Sequence, residues 1–408
     1  PENSEPDYVL ATDKEQTNNM IQVMMIQPEP KMKSAGDLKK NLIDGLYNDM
    51  LGLRISEKSM KEEPVMLIGG ASKGGLIDGY GAYTITVSPK TGLDCKGIEF
   101  VYTEVVRAQR FGFLQTELDR SKQKMLTRLE NEYKQKDKIT NSQLITSIVS
   151  LFVYNDIMMS ADDNYALRKS LINEITLDDV NAAAAGYPQF KNVKLILTGD
   201  EEWKAPSKEE ILAVFAKVDA DKSIKPYEEE SVIAGLIDND VVPGRIVKEK
   251  NLPIFGAKEW TLSNGAKVVY ANASYDKDLI NLAANSYGGK SLYPDEAVKT
   301  VELTGMFGGS LGLGNCTTDQ MDKYLQGKKA KTSISIDSYS EGIKGESNVK
   351  DFETMMQMAY LRFVNPNDIE TFTVLKDASA KKVALIIFPA TNKFLKFLTF
   401  KLSRGISK

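Results

Sequence analysis

One broken amphipathic stretch, Gly97–Glu132, constrains this chain most, because a weaker copy of it recurs about 250 residues later at Val349–Lys376. In the first copy Ile98, Val101, Tyr102 and Val105 fall at helical spacing and predict one apolar stripe. Gly112, within Arg110-Phe111-Gly112-Phe113, can end that helix because glycine reaches positive φ cheaply. Thr116 with Asp119 reads as a capping-box-like start of a second helix, buried through Leu118, Met125, Leu126 and Leu129. In the later copy Phe352, Met355, Met356, Ala359, Tyr360 and Phe363 form the stripe, and Arg362-Phe363 stands where Arg110-Phe111 stood. Asn365 then caps, and Pro366 takes the first helical position, where its missing N–H costs nothing. Two unrelated helix pairs would show the same local spacing, so the repeat needs landmarks elsewhere.

The order of elements supplies them. Pro1–Thr17 reads as a loose polar start, Met20–Gln27 as a strand and Gly36–Ile55 as a helix with Leu38, Leu42, Leu46 and Leu53 inward. Met66–Ile68 and Tyr83–Val87 read as strands joined by the glycine-rich connection Gly69–Gly81. After the helix pair come helices over Ser142–Met158, Asp162–Ile172 and Thr176–Ala185, a buried strand Asn192–Thr198 and a helix Ser207–Lys217. This order predicts an α+β domain over 1–218 with a mainly antiparallel sheet and helices on one face. Asp219–Pro253, with Lys225-Pro226, Glu228-Glu229-Glu230 and Val242-Pro243-Gly244, reads as an interdomain linker. A second unit, 254–408, opens with a strand, an Asn264-Gly265 turn of the two-residue type I′ kind and another strand. Strands over Asp278–Ser286 and Lys331–Ile336 and a helix over Asp295–Met306 follow. Ile21 and Val23 then match Ile280 and Leu282 in strands that each precede a helix, so three landmarks recur in order. The expectation is two homologous α+β domains, the second incomplete.

Composition narrows the chemistry. The formal net charge of −4 and the lack of a basic stripe with interleaved aromatics argue against a nucleic-acid partner. No apolar run reaches the roughly 20 residues that span a bilayer. The chain opens on Pro1 rather than Met, which suggests a processed or truncated piece. Cys95 and Cys316 lie too far apart in sequence for a zinc knuckle and are expected as free thiols. Histidine is absent altogether, which excludes Ser-His-Asp and Cys-His catalysis and histidine-based zinc sites.

The motifs that mimic active sites fail on their own terms. Gly69-Gly70-Ala71-Ser72-Lys73-Gly74-Gly75 lacks the ending and the following helix of a phosphate-binding loop. Gly305–Gly314 follows a helix rather than a strand, unlike a dinucleotide fingerprint. Asp219, Asp221, Ser223 and Glu230 have calcium-loop spacing, but Ile224 replaces the required glycine and Pro226 follows. Glu117, Glu130 and Glu132 read as a solvated face with helical ion pairs. The tail Lys381–Lys408 alternates Phe394, Phe397, Leu398 and Leu402 with lysines, as the start of a further helical layer or a basic membrane-surface helix would. No catalytic or metal-binding residue is assigned, and substrate-binding residues remain open.

Taken together, the motifs resemble pitrilysin/insulinase-type zinc peptidases, the inverted-motif zincins, over roughly residues 5–376. Leu262-x-Asn264-Gly265-x-x-Val268 resembles that family's opening hairpin. Gly288-Gly289-x-Ser291, Leu325-x-Gly327-Lys328 and the run from Gly345 through Asp351, Glu353 and Tyr360-Leu361 resemble its second, non-catalytic half. Pro6-x-Tyr8, Asp13-Lys14-Glu15 and Arg107-x-x-Arg110-Phe111-Gly112-Phe113-x-x-x-Glu117-Leu118 resemble the second domain of the first half. The family builds four similar domains around a chamber, where a peptide lies along a sheet edge and a zinc-bound water cuts it. The resemblance implies a non-catalytic portion that forms chamber wall and hinge, with the H-x-x-E-H zinc site in a missing upstream domain. Zinc is then expected in the full-length protein and not in this chain. Expected partners are a peptide substrate and the remaining domains or a catalytic subunit, and family habit suggests a periplasmic or envelope location. An inactive scaffold or assembly subunit, or a peptide-binding module using Gly69–Gly81, is the alternative. The tail beyond Lys382 fits the family poorly.

Overall fold

The computed structural model of the protein describes residues 3, 5–29, 31–154, 157–229, 233–237, 241, 243–273, 278–295, 297, 298, 301 and 312–364. The chain divides into two compact units, Pro1–Glu230 and Ser231–Lys408. Both are α+β, with mainly antiparallel sheets.

The first unit is built on a five-stranded sheet. Its strands are β1 (Asp7–Thr12), β2 (Met20–Pro28), β3 (Met66–Ile77), β4 (Tyr80–Pro89) and β5 (Val193–Gly199), in the order β1-β5-β2-β4-β3. All neighbouring pairs are antiparallel except β1 with β5. Hydropathy misses β1 because its side chains are mostly exposed and carry no alternation; backbone pairing and a 2.9 Å bond from Tyr8 Oη to the Pro206 carbonyl hold it. By contrast β2 and β5 fall where strands are expected, and they alternate, with Ile21, Val23, Met25, Val193, Leu195 and Leu197 in the core.

The glycine-rich run is not a loop. Gly69–Gly75 lies inside β3, and the turn falls at Asp78-Gly79. Some of these glycines serve close packing against helix α2, which spans Asp94–Phe111. A Cβ on Gly69 would lie 2.9 Å from Val101 Cγ2, and one on Gly97 would lie 2.7 Å from Val87 Cγ1. Glycine here lets the helix backbone settle on the sheet, rather than supplying flexibility.

Helix α1 (Ala35–Lys61) extends beyond its expected end and starts with a capping box between Ser34 and Asp37. The other helices of this unit are α3 (Gln115–Lys134), α4 (Asn141–Tyr154), α5 (Ala161–Glu174), α6 (Leu177–Ala185) and α7 (Lys208–Ala220). Thr176 with Asp179 and Ser207 with Glu210 cap α6 and α7 as reciprocal boxes. Ile98, Val101, Tyr102 and Val105 are buried, as their spacing predicts, and Gly112 ends α2 at φ 69°.

The expected cap of α3 and the role of Glu117 both change. Glu117 is 6% exposed and Arg54 of α1 is 2% exposed. Arg54 Nε donates to Glu117 Oε1 at 2.7 Å and Nη2 to Oε2 at 2.6 Å, while Nη2 also reaches the Gly112 carbonyl at 3.0 Å. Glu117 Oε2 accepts the Leu114 N–H at 2.7 Å, so Glu117 rather than Thr116 with Asp119 closes the helix start. The guanidinium also lies over the rings of Phe113 and Tyr227. Glu130 and Glu132 stay exposed, as expected.

The segment read as a linker holds defined structure. Asp219 accepts from Tyr102 Oη at 2.8 Å, Tyr227 donates to Glu57, and Glu229 pairs with Arg120, all within the first unit. Leu236 is buried in the core of the second unit, and Ile246–Leu252 forms β6. Prolines and acidic runs mark where helices stop, not where packing stops.

In the second unit, β6, β7 (Ala257–Leu262) and β8 (Lys267–Ala271) make one antiparallel sheet. Their hairpin is not the expected two-residue turn. The Leu262 N–H meets the Ala266 carbonyl at 2.8 Å, and Gly265 has φ 82° while Asn264 does not have positive φ, as a type I′ turn requires. Strands β9 (Ile280–Tyr287), β10 (Ala330–Ile336) and β11 (Ser340–Ser347) make another sheet in the order β10-β11-β9. Gly288-Gly289 turns against it so tightly that a Cβ on Gly289 would lie 2.2 Å from the Asp337 carbonyl oxygen. Helix α8 (Thr318–Leu325) is capped by Thr317 with Gln320, and α9 (Phe352–Val364) packs on β10 and β11.

The later helix pair is visible only through α9, because 365–376 lies outside the described residues, as do Glu302, most of Asp295–Met306 and Gly305–Gly314, and the tail 381–408. Its stripe also shifts. Met355, Met358, Ala359 and Arg362 are buried, whereas Phe352 and Met356 are exposed. Arg362 donates to Thr332 Oγ1 at 2.7 Å, whereas Arg110 binds the carbonyls of Asp219 and Asp221, so the two arginines of the repeat do different work.

Two stability outcomes follow. Glu117→Ala strands a buried guanidinium and should lower stability in chemical denaturation by about 3–5 kcal/mol, with the double change Arg54→Met and Glu117→Leu recovering much of the loss. Gly97→Ala should cost about 1–3 kcal/mol in the same measurement, because Val87 lies in the sheet and cannot retreat.

Candidate functional site

A polar cluster lies in the interior of the first unit where α1 meets β3. Lys73, buried on β3, donates from Nζ to Asp44 Oδ2 at 2.9 Å. Tyr187 Oη donates to the other Asp44 oxygen at 2.6 Å, and Glu29 Oε1 lies 3.7 Å from Lys73 Nζ. The hydroxyls of Tyr47 and Tyr83 meet at 2.7 Å beside them. Asp44, Tyr47 and Asn48 project from one side of α1 because residues three and four apart share a helix face. Sequence reasoning missed this cluster, whose members come from four distant segments.

Asn48 changes what β3 can do. As an edge strand, β3 pairs only with β4 among the described residues. At Lys73, however, the backbone N–H donates to Asn48 Oδ1 at 2.8 Å, and Asn48 Nδ2 donates to the Lys73 carbonyl at 2.8 Å. The side-chain amide thus occupies both backbone groups at mid-strand, in the way a neighbouring strand would. On either side of it the strand is barer: nothing lies within 4 Å of the Cβ positions of Gly70, Gly74 and Gly75. Leu67, Ile68 and Ile77 are exposed there.

The cluster pairs Lys73 with Asp44, while Glu29 Oε2 is buried without a hydrogen-bond partner. Burial pushes the Tyr47, Tyr83 and Tyr187 phenols well above their usual range, which keeps them as neutral donors. Both oxygens of Asp44 are engaged, by a lysine and by a tyrosine. Burial likewise pushes the Cys95 thiol up, away from a reactive thiolate.

The motifs weighed from sequence do not converge. Lys73 points inward from the glycine-rich strand and binds Asp44. Asp221 Oδ1 accepts the Ser223 N–H at 2.8 Å in a local turn, while Asp219 binds Tyr102. The residues do not fit zinc: the chain has no histidine, and no group of three or more Cys, Asp or Glu among the described residues is placed to hold a metal. Among the described residues no helix is long and apolar enough to cross a membrane.

No family model matches the chain. The zinc protease PQQL-like protein of Arabidopsis thaliana is 19% identical over 316 residues, covering 77% of this chain and 30% of that protein. The crystal structure of the periplasmic protease PqqL from Escherichia coli matches 97% of this chain and 44% of its own, at 19% identity and TM-score 0.50. The ferredoxin protease FusC, solved with Arabidopsis ferredoxin, matches 96% of this chain and 43% of its own, at 12% identity and TM-score 0.53. The chain spans between 29% and 36% of the length of the curated zinc-protease relatives it matches. By its curated relatives and by its fold, the chain is similar to part of the pitrilysin/insulinase-type zinc proteases.

Proposed function

We propose that this chain is a central, non-catalytic part of a zinc metalloendopeptidase, forming wall of a peptide-enclosing chamber and the hinge between its halves. The carrying observation is that its fold follows a periplasmic protease over 97% of its length, while the chain has no histidine and no group of three or more Cys, Asp or Glu among its described residues is placed to hold a metal. The zinc and its H-x-x-E-H ligands then belong to a domain upstream of these residues, and the hinge to the segment within 219–253. A periplasmic location and a peptide substrate follow from the same reading, since the neighbour is titled a periplasmic protease. An inactive scaffold subunit would share this fold, and an H-x-x-E-H motif in the upstream reading frame separates the two.

The bond pair from Asn48 to Lys73 disfavours the reading as a free-standing peptide-binding module, because a peptide strand on β3 would have to displace it. Purified chain should bind zinc at well under one equivalent by calorimetry and cleave no peptide; stoichiometric binding with metal-dependent hydrolysis would overturn the assignment. Extended peptides should leave hydrogen exchange in 66–77 unchanged in the wild type. Asn48→Ala should open that edge, visible as concentration-dependent self-association in size-exclusion chromatography.

A further inference from the structure

Helix α4 carries no charged side chain from Asn141 to Tyr154, and its apolar residues lie on more than one face. Ile145, Val149 and Phe152, at i, i+4 and i+7, form a stripe open to solvent, and Phe152 is 84% exposed. Leu144 and Leu151 instead line a cavity of about 610 Å³ that separates α4 from α3 and α5, with Leu129, Tyr133 and Tyr165 opposite. Near the cavity Lys136 pairs with Asp162 and Arg128 with Glu132, while Arg168 in its wall donates to Asn164 Oδ1 at 2.8 Å. Gln143, Thr146, Ser147 and Ser150 form the polar side of α4 and line the cavity, so the helix is amphipathic with its apolar stripe turned to solvent.

We propose that α4 is a docking helix for a folded domain of the same longer polypeptide. That domain presents an uncharged apolar surface, which covers Ile145, Val149 and Phe152. The inference rests on the protease-portion reading and adds the surface on which the remaining domains sit. The occupant follows from length: the related zinc proteases carry roughly two thirds of their residues outside the region this chain matches. The absence of charge on α4 fits a permanent intramolecular partner better than a transient one, because permanent interfaces resemble a core cut in two.

The test compares hydrogen–deuterium exchange over 141–154 in the 408-residue chain with that in the polypeptide translated from the whole reading frame. Exchange should slow by about tenfold or more in the longer protein. Changing Ile145→Asp and Phe152→Asp together should return the longer protein to the fast rate, while leaving the thermal midpoint of the 408-residue chain unaltered. Equal exchange in both forms would overturn the proposal. So would protection of the shorter chain that grows with its own concentration, which signals a second copy, or with phosphatidylglycerol vesicles, which signals a lipid surface. Zinc-loaded long protein with an unprotected α4 would sink docking alone; a protected α4 in a protein without zinc would sink the protease reading alone.

Discussion

The first unit depends on one buried ion pair. Arg54 and Glu117 come from helices far apart in sequence, and each is almost fully enclosed. Neither charge is tolerable there without the other, because each has lost its water. The same pair fixes three further features. It binds the carbonyl of Gly112 where α2 ends, it caps the start of α3 through Leu114, and it presents a cation to Phe113 and Tyr227. The break between the two helices is therefore held from a third helix, and its geometry is a property of the whole unit.

A second polar anchor, Asp44 with Lys73 and Tyr187, fastens the edge of the sheet to α1. Charged groups converge here as in an active site, yet every carboxylate oxygen of Asp44 is engaged, and the neighbouring phenols are driven away from ionisation. The cluster resembles chemistry in composition and framework in geometry. Asn48 beside it closes mid-strand backbone groups that would otherwise invite pairing.

Much of the fold was legible in local pattern. The helices over Thr176–Ala185 and Ser207–Lys217, the strands β2 and β5 and the stripe of α2 depend on neighbours within a few residues, and the structure repeats them. The misses share a cause. Glu117 looked solvated because its helix is rich in charge, and only a partner 63 residues earlier buries it. Strand β1 gave no signal because its stability comes from backbone pairing with β5, distant in sequence. The glycine-rich run of β3 looked like a loop, because the pairing with β4 and the close approach of Val101 to Gly69 come from other segments.

The sequence alone determined the α+β class, the likeness to zinc peptidases and the lack of histidine, since these follow from periodicity, motif order and composition. Tertiary structure decided which charges are interior, which edge of the sheet is closed and which helix is left uncovered. Those outcomes depend on where solvent is excluded, and exclusion is set by segments that meet only when the chain is folded.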